Sequence, residues 1–337
     1  MANLPSLLDH ARGDVQAGPP ATRVSLSGVG VSGLEQVLRL SAGGGEALSV
    51  PVSFECTVAL VADQRGAHMS RFAEAVAAAA QEAAVAGPLG PETLAAHVAE
   101  GIRGRQGAGR AEVRVAARYP DERLAPASGL PTQESFTVLG AALASERGTR
   151  RLAGVEAQGI TACPCAQDLV ADRARARLEA DGFSAEEIER ILDHVPVASH
   201  NQRGVGTLWI GAPGHGAPAE ARELLEIVRA SMSAEIYGLM KRSDEVEVVG
   251  RAHRRPRFVE DCVREMVRTS VERFSGLGEQ GFLLAVQRNL ETIHRHDVTA
   301  ERRGLIGALQ REVGGGEEAT HVSMAAWLEA SDGASEA

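Results

Sequence analysis

Leu48-Ser49-Val50-Pro51-Val52-Ser53-Phe54-Glu55-Cys56-Thr57-Val58-Ala59-Leu60-Val61 places Val50, Val52, Phe54, Cys56 and Val58 on one face of an extended chain. That period of two predicts a long, half-buried strand. Working outward, residues 23–33 alternate through Val24, Leu26, Val29 and Val31 with glycine interruptions, a second strand. Downstream, a turn at residues 63–72 enters an Ala-rich helix to about residue 86, and Pro91 opens another with Leu94, Val98 and Ile102 at helical spacing. Strands are predicted near 112–119 and 135–146. The second half repeats the order loosely: strand-like 151–160, a strand at 204–211 with Val205, Leu208 and Ile210, helices at 219–232 and 259–274, and a strand at 282–290. Between them, residues 168–197 read as a helical pair, Ser184 and Glu187 forming a capping box for its second helix. The first 20 residues read as a loose arm, and the tail after Gly314 as Gly- and Glu-rich and frayed at its very end.

At 337 residues the chain is long enough for two modules. The expected division is an arm over 1–20, a first module over 21–150, a second over 151–312 interrupted by the insert 168–197, and a tail over 313–337. No apolar run reaches membrane-spanning length, and the start lacks a cleavable signal, so a cytoplasmic protein without a membrane partner is expected. A net charge of -10 argues against nucleic acid as a partner. Four cysteines make no disulfide framework; Cys56 and Cys262 read as small core residues, and a reducing compartment leaves the others available for a metal or catalysis. Of the 35 basic residues only Lys241 is a lysine, which singles it out as a compact ammonium or as chance survival.

The chemistry gathers in three polar knots. Thr161-Ala162-Cys163-Pro164-Cys165-Ala166-Gln167 holds two cysteines one residue apart; Ser199-His200-Asn201-Gln202-Arg203-Gly204 follows the helical pair; Glu291-Thr292-Ile293-His294-Arg295-His296 comes near the end. Thiolate, imidazole and carboxylate are ligands for zinc, iron(II) or manganese. A Cys-x-Cys pair lacks the spacing of a structural zinc site, whereas a catalytic metal needs about three protein ligands and an open position. Packing of both cysteines at a strand end is the plain alternative. Glu291 and His294, three apart, would share one side of a helical turn, where surface coincidence is the competing explanation. Lys241, Arg242 and Glu245 combine cations for phosphate with a carboxylate for a metal, or form a solvated loop. Arg65, His68 and Arg71 stand where a helix begins, a place that favours anions, or make a local salt-bridge cluster. Glu260 suits the first turn of its helix, so capping alone explains it as well.

Together these residues resemble GTP cyclohydrolase IB, the prokaryotic type that includes the archaeal methanopterin-pathway branch. The resemblance is carried by Phe54-Glu55-Cys56, Gln64 through Phe72, Cys163-Pro164-Cys165, His200-Asn201-Gln202-Arg203, Leu239 through Glu245, Phe258-Val259-Glu260-Asp261 and Glu291-Thr292-Ile293-His294, in one consistent order. It implies an α+β tunnelling fold of two tandem modules, each an antiparallel sheet with two helices, assembling into an oligomeric barrel. It also implies a homotetramer with sites at subunit interfaces, and hydrolysis of GTP at guanine C8 with release of formate. The implied product is 7,8-dihydroneopterin triphosphate; the long insert resembles the archaeal branch, whose product is the 2′,3′-cyclic phosphate. By the same resemblance Cys163, His200, Glu245, Glu291 and His294 match the residues of a site for one divalent metal (Zn, Mn or Fe(II)). Cys165 matches a thiol near C8, and Glu260 the carboxylate that anchors the guanine edge. Glu291 or His294 would ligate or shuttle protons, and Arg65, His68, Arg71, Arg203, Lys241 and Arg242 are phosphate candidates, some reaching in from a neighbouring subunit. Two other readings stand beside it: an NADPH-dependent nitrile reductase of the same superfamily, and a metal-stabilised purine- or pterin-binding protein without turnover.

Overall fold

A computed structural model describes residues 15–43, 47–214, 216 and 219–330. Its strands are β1 (Leu26–Leu40), β2 (Leu48–Leu60), β3 (Arg110–Leu124), β4 (Pro131–Ser145), β5 (Gly148–Ala162), β6 (Asn201–Gly211), β7 (Ala234–Glu235), β8 (Phe282–Leu290) and β9 (Val298–Leu305). The helices are α1 (Met69–Ala86), α2 (Pro91–Gln106), α3 (Pro164–Ala180), α4 (Ala185–His194), α5 (Ala221–Ser231), α6 (Arg242–Arg254), α7 (Val259–Arg273), α8 (Ile306–Val313) and α9 (Met324–Glu329). The order β1-β2-α1-α2-β3-β4 is the one the first half of the sequence predicts. The arm expected over 1–20 lies, for residues 1–14, outside the described residues.

The expected pair of tandem modules closing into a barrel is corrected by the sheet. All nine strands belong to one antiparallel sheet, ordered β1-β2-β3-β4-β5-β6-β8-β9, with β7 paired to β5. The halves are not separated because β4 and β5 form a tight hairpin in which Ser145 pairs with Gly148. Gly148 turns the corner at φ 115°, a conformation that side chains with a Cβ rarely adopt. The ladder therefore runs on from the first half into the second. The sheet is open: among the described residues β1 pairs only with β2, and β9 only with β8.

One face of the sheet carries α1, α2, α5 and α7, and the main core lies between them. Val52, Phe54, Cys56, Val113, Val115, Val138 and Val155 meet Phe72, Val76, Leu94, Val98, Leu224, Val228, Cys262 and Met266. Gly140 lets α2 approach: a Cβ there would sit 2.3 Å from the Pro91 backbone. On the other face α9 packs Trp327 among Ala141, Leu143, Leu152 and Phe282, so the tail is docked as far as its helix, and the very end expected to fray lies outside the described residues. Residues 331–337 lie outside the described residues. No helix of the described residues is long and apolar enough to cross a membrane.

Candidate active site

Register places the three polar knots at one end of the sheet. Ala162, the last residue of β5, pairs with Asn201, the first of β6; Arg203 of β6 pairs with Leu290, the last of β8. Cys163, His200 and Glu291 are the residues immediately beyond these ends. The Cys163 N–H donates to the His200 carbonyl at 3.1 Å, extending the β5–β6 ladder by one step. Ser199 Oγ donates to the Cys163 carbonyl at 2.6 Å. Glu291 has a side chain only 6% exposed, and its Oε2 lies 3.7 Å from His200 Nδ1, which also stands 3.1 Å from Gln202 Oε1. That Oε2 atom is buried without a hydrogen-bond partner among the described residues.

His294 is nearby, its ring 6.5 Å from that of His200 and stacked on His296 at 5.2 Å. The helical turn expected for Glu291 and His294 is not there. Residues 291–297 are an irregular connection between β8 and β9, and the Thr292 hydroxyl anchors it to the Asn201 carbonyl at 3.1 Å. Cys163 caps the N-terminus of α3, with Pro164 as its first helical residue, while Cys165 is exposed in the first turn. Arg203 is exposed on β6, between Ile160 of β5 and Leu290 of β8.

Lys241, Arg242 and Glu245 stand at the start of α6, Lys241 at its N-cap, where a solvated loop is one of the two expectations. Asp244, passed over inside that motif, is what fixes it. It is fully buried and accepts from Ala127 N–H (2.8 Å), Ser128 N–H (2.7 Å), the Ser128 hydroxyl (2.7 Å) and Lys241 N–H (2.8 Å). Burial pushes its pKa up, but the donors of Ser128, Lys241 and Ala127 outweigh that and hold the carboxyl well below the usual range. Glu245 lines a groove with Pro196, Ala198, Val246, Val249 and His253, beside the stretch leading into His200. Among the described residues no hydrogen bond or ion pair joins Glu245 to His200 or Glu291. Glu260, in the first turn of α7, lines a separate cleft of about 400 Å³ with Arg264, Glu301, Arg302 and Glu312.

Arg65, His68 and Arg71 lie at the other end of the molecule. Val58 of β2 pairs with Ala111, Ala111 with Ala144, and Ala144 with Thr149, so β2 exits level with the start of β5. There Gln106 receives the His68 N–H at 3.2 Å and donates to its carbonyl at 2.8 Å, while Arg71 donates to the Arg105 carbonyl at 3.0 Å. The 15 residues of β5 separate this cluster from Cys163, roughly 45–50 Å at about 3.3 Å per residue.

Whether the residues fit a metal is answered by the orphaned Glu291 oxygen and the imidazole facing it. Glu291 Oε2 is a ligand atom without a partner, the His200 ring facing it is bonded through Nδ1 to Gln202 Oε1, and a third ligand type, Cys163, is one ladder step from His200. Among the described residues no group of three such side chains stands already gathered, so the fit is of donor types around a two-residue nucleus. Cys56 and Cys262 are not part of it: both are fully buried in the core, and burial pushes their thiols up to about 12.

The family model described as "Type I GTP cyclohydrolase folE2" matches residues 13–300. GTP cyclohydrolase MptA of Methanocaldococcus jannaschii is 38% identical over 307 residues, covering 90% of this chain and 98% of the relative. The protein of the same name from Methanococcus maripaludis strain C5 is 39% identical, covering 89% and 97%, and that of Methanosarcina mazei 35%, covering 89% and 96%. Among solved structures, uricases of Arthrobacter globiformis (TM-score 0.44, 9% identity, 84% of this chain and 95% of that one) and Bacillus fastidious (0.45, 10%, 88% and 98%) are distantly similar in chain course. With a family model matching residues 13–300 and relatives of 35–39% identity along about nine-tenths of its length, the chain belongs to the type I GTP cyclohydrolase folE2 family.

Proposed function

We propose that this chain is a metal-dependent GTP cyclohydrolase of the archaeal branch, opening the guanine imidazole at C8 and releasing formate. The observation that carries the reading is the buried Glu291 Oε2 without a partner, 3.7 Å from the Nδ1 of His200, whose backbone carbonyl accepts from Cys163 N–H. In this reading Cys163, His200, Glu245 and one or both of Glu291 and His294 would hold one divalent ion. When bound, such an ion supplies a water acidic enough to attack an electron-poor ring carbon near neutral pH.

The chain's own residues do the rest. Whichever of Glu291 and His294 does not ligate the ion takes or returns the protons that ring opening moves; His294 is exposed beside His200 for that role. Cys165, exposed one residue beyond Pro164, faces the substrate near C8. Glu260 accepts the two N–H groups of the guanine edge, a pairing that adenine cannot offer. Arg203, Lys241 and Arg242 meet the triphosphate from the same end of the sheet. Arg65, His68 and Arg71, separated from Cys163 by the length of β5, serve the site of a second copy, which makes a homotetramer with interfacial sites the working assembly.

The test is metal-depleted protein reconstituted separately with Zn, Mn and Fe(II) under anaerobic conditions and given GTP. Formate and pterin are expected in equal amounts with at least one metal, and neither from Cys163→Ala. Phosphorus NMR of the product distinguishes 7,8-dihydroneopterin triphosphate from the 2′,3′-cyclic phosphate. No formate from folded protein with any of the three metals contradicts the proposal; tight GTP binding without turnover then favours a binding protein.

A further inference from the structure

Residues 196–200, which lead into His200, have no regular secondary structure, so side chains must fix their course. One side chain does this from α3. Gln167 lies one turn beyond Cys163, its backbone N–H donating to the Cys163 carbonyl at 3.2 Å. Its carboxamide Nε2 donates to the Val197 carbonyl at 2.7 Å and to the His253 carbonyl at 2.6 Å. A primary amide has two N–H donors, and both are used here. The acceptors lie 30 and 86 residues away in sequence, one in the stretch before His200 and one in the last turn of α6.

The contacts then close on themselves. His253 Nε2 stands 3.2 Å from the Ser199 carbonyl, Ser199 Oγ donates to Cys163 O, and Cys163 N–H donates to His200 O. Four segments are thereby tied: the end of β5, the start of α3, the approach to β6, and α6 with its Glu245.

We propose that Gln167 is a positioning residue for the centre, holding the stretch that presents His200 and the helix that carries Glu245 against Cys163. This rests on the function proposed above and adds a residue that touches neither ion nor substrate. Groups that orient ligands from behind typically change metal affinity by about 10–100-fold when lost. A displacement on the order of 0.5 Å is enough to spoil such a site.

Two substitutions probe it. Gln167→Met keeps the volume and removes both donors; Gln167→Glu keeps the shape but sets oxygen lone pairs against two carbonyls. Zn and Mn dissociation constants, read by chelator competition, are expected to rise at least about tenfold in both variants. The KM for GTP should stay within twofold and the melting temperature should hold nearly constant, a combination that a merely structural role would not give. Hydrogen exchange of peptides covering residues 195–201 should quicken in both variants, with or without metal. Wild-type affinity in both variants, or unchanged exchange across 195–201, overturns the proposal. Wild-type protein that binds no metal at all contradicts the metal reading instead, and the exchange measurement still decides the role of Gln167.

Discussion

Asp244 and Glu291 are both carboxylates withdrawn from water, and their surroundings treat them in opposite ways. Asp244 receives four donors, while Glu291 Oε2 receives none among the described residues. A buried polar atom without a partner is costly, and its retention calls for a ligand that completes it. Asp244, by contrast, is structural. Its folded pKa lies below the unfolded value of about 3.9, so the stability it contributes is present above pH 4 and lost as pH falls through the folded value. Asp244→Asn should therefore flatten the acid limb of a melting-temperature profile between pH 2 and 5; an unchanged acid limb would remove Asp244 as its source. The cysteines divide in the same way. Burial pushes Cys56 and Cys262 up to about 12, whereas Cys165 is exposed and Cys163 half-buried. A thiol reagent at pH 8 should modify two thiols per chain in the native metal-free protein and four after denaturation; more than two fast thiols would mean an open core.

At the scale of elements, Trp327 decides how the tail is held. Its indole lies 5.5 Å from the Phe282 ring, its Nε1 donates to the Gln280 carbonyl at 2.9 Å, and the Arg150 guanidinium covers it at 4.1 Å. Emptying that pocket by Trp327→Ala should cost about 3–5 kcal/mol in urea unfolding. Trp209, the other tryptophan, remains as the fluorescent reporter. A loss below about 1 kcal/mol would mean that α9 is not docked. The sequence hid this element because the Gly-Glu run at 314–318 reads as a chain end and the six-residue helix is too short to show a period. Edge strand β9 was missed because Glu301, Arg302 and Arg303 interrupt its alternation, and α6 because only Asp244, Val248, Gly250 and Ala252 are buried on it. β2 and α7 were legible for the opposite reason: each buries one face at the proper period. The residue types of the site could likewise be read from three motifs. Their meeting could not, because it depends on the pairings Ala162–Asn201 and Arg203–Leu290, which join segments far apart in the chain.

For the whole molecule, register divides the residues proposed to bind GTP between the two ends of one sheet. The Cys163 end and the Arg65–Arg71 cluster are separated by the 15 residues of β5, and no side chain spans that distance. On the function proposed above, a complete site takes its metal ligands from one copy and part of its phosphate grip from another. The direct measurement is formate release from a mixture of two variants, Cys163→Ala and the double variant Arg65→Ala/Arg71→Ala, co-refolded in equal amounts with the metal that supports the wild type. Each variant alone should release almost none. Random mixing places an intact Cys163 end opposite an intact arginine cluster in about a quarter of interfaces, so about a quarter of wild-type activity should return. Hybrid oligomers that form and stay inactive would contradict the shared site, and a wild type that releases no formate would contradict the cyclohydrolase itself.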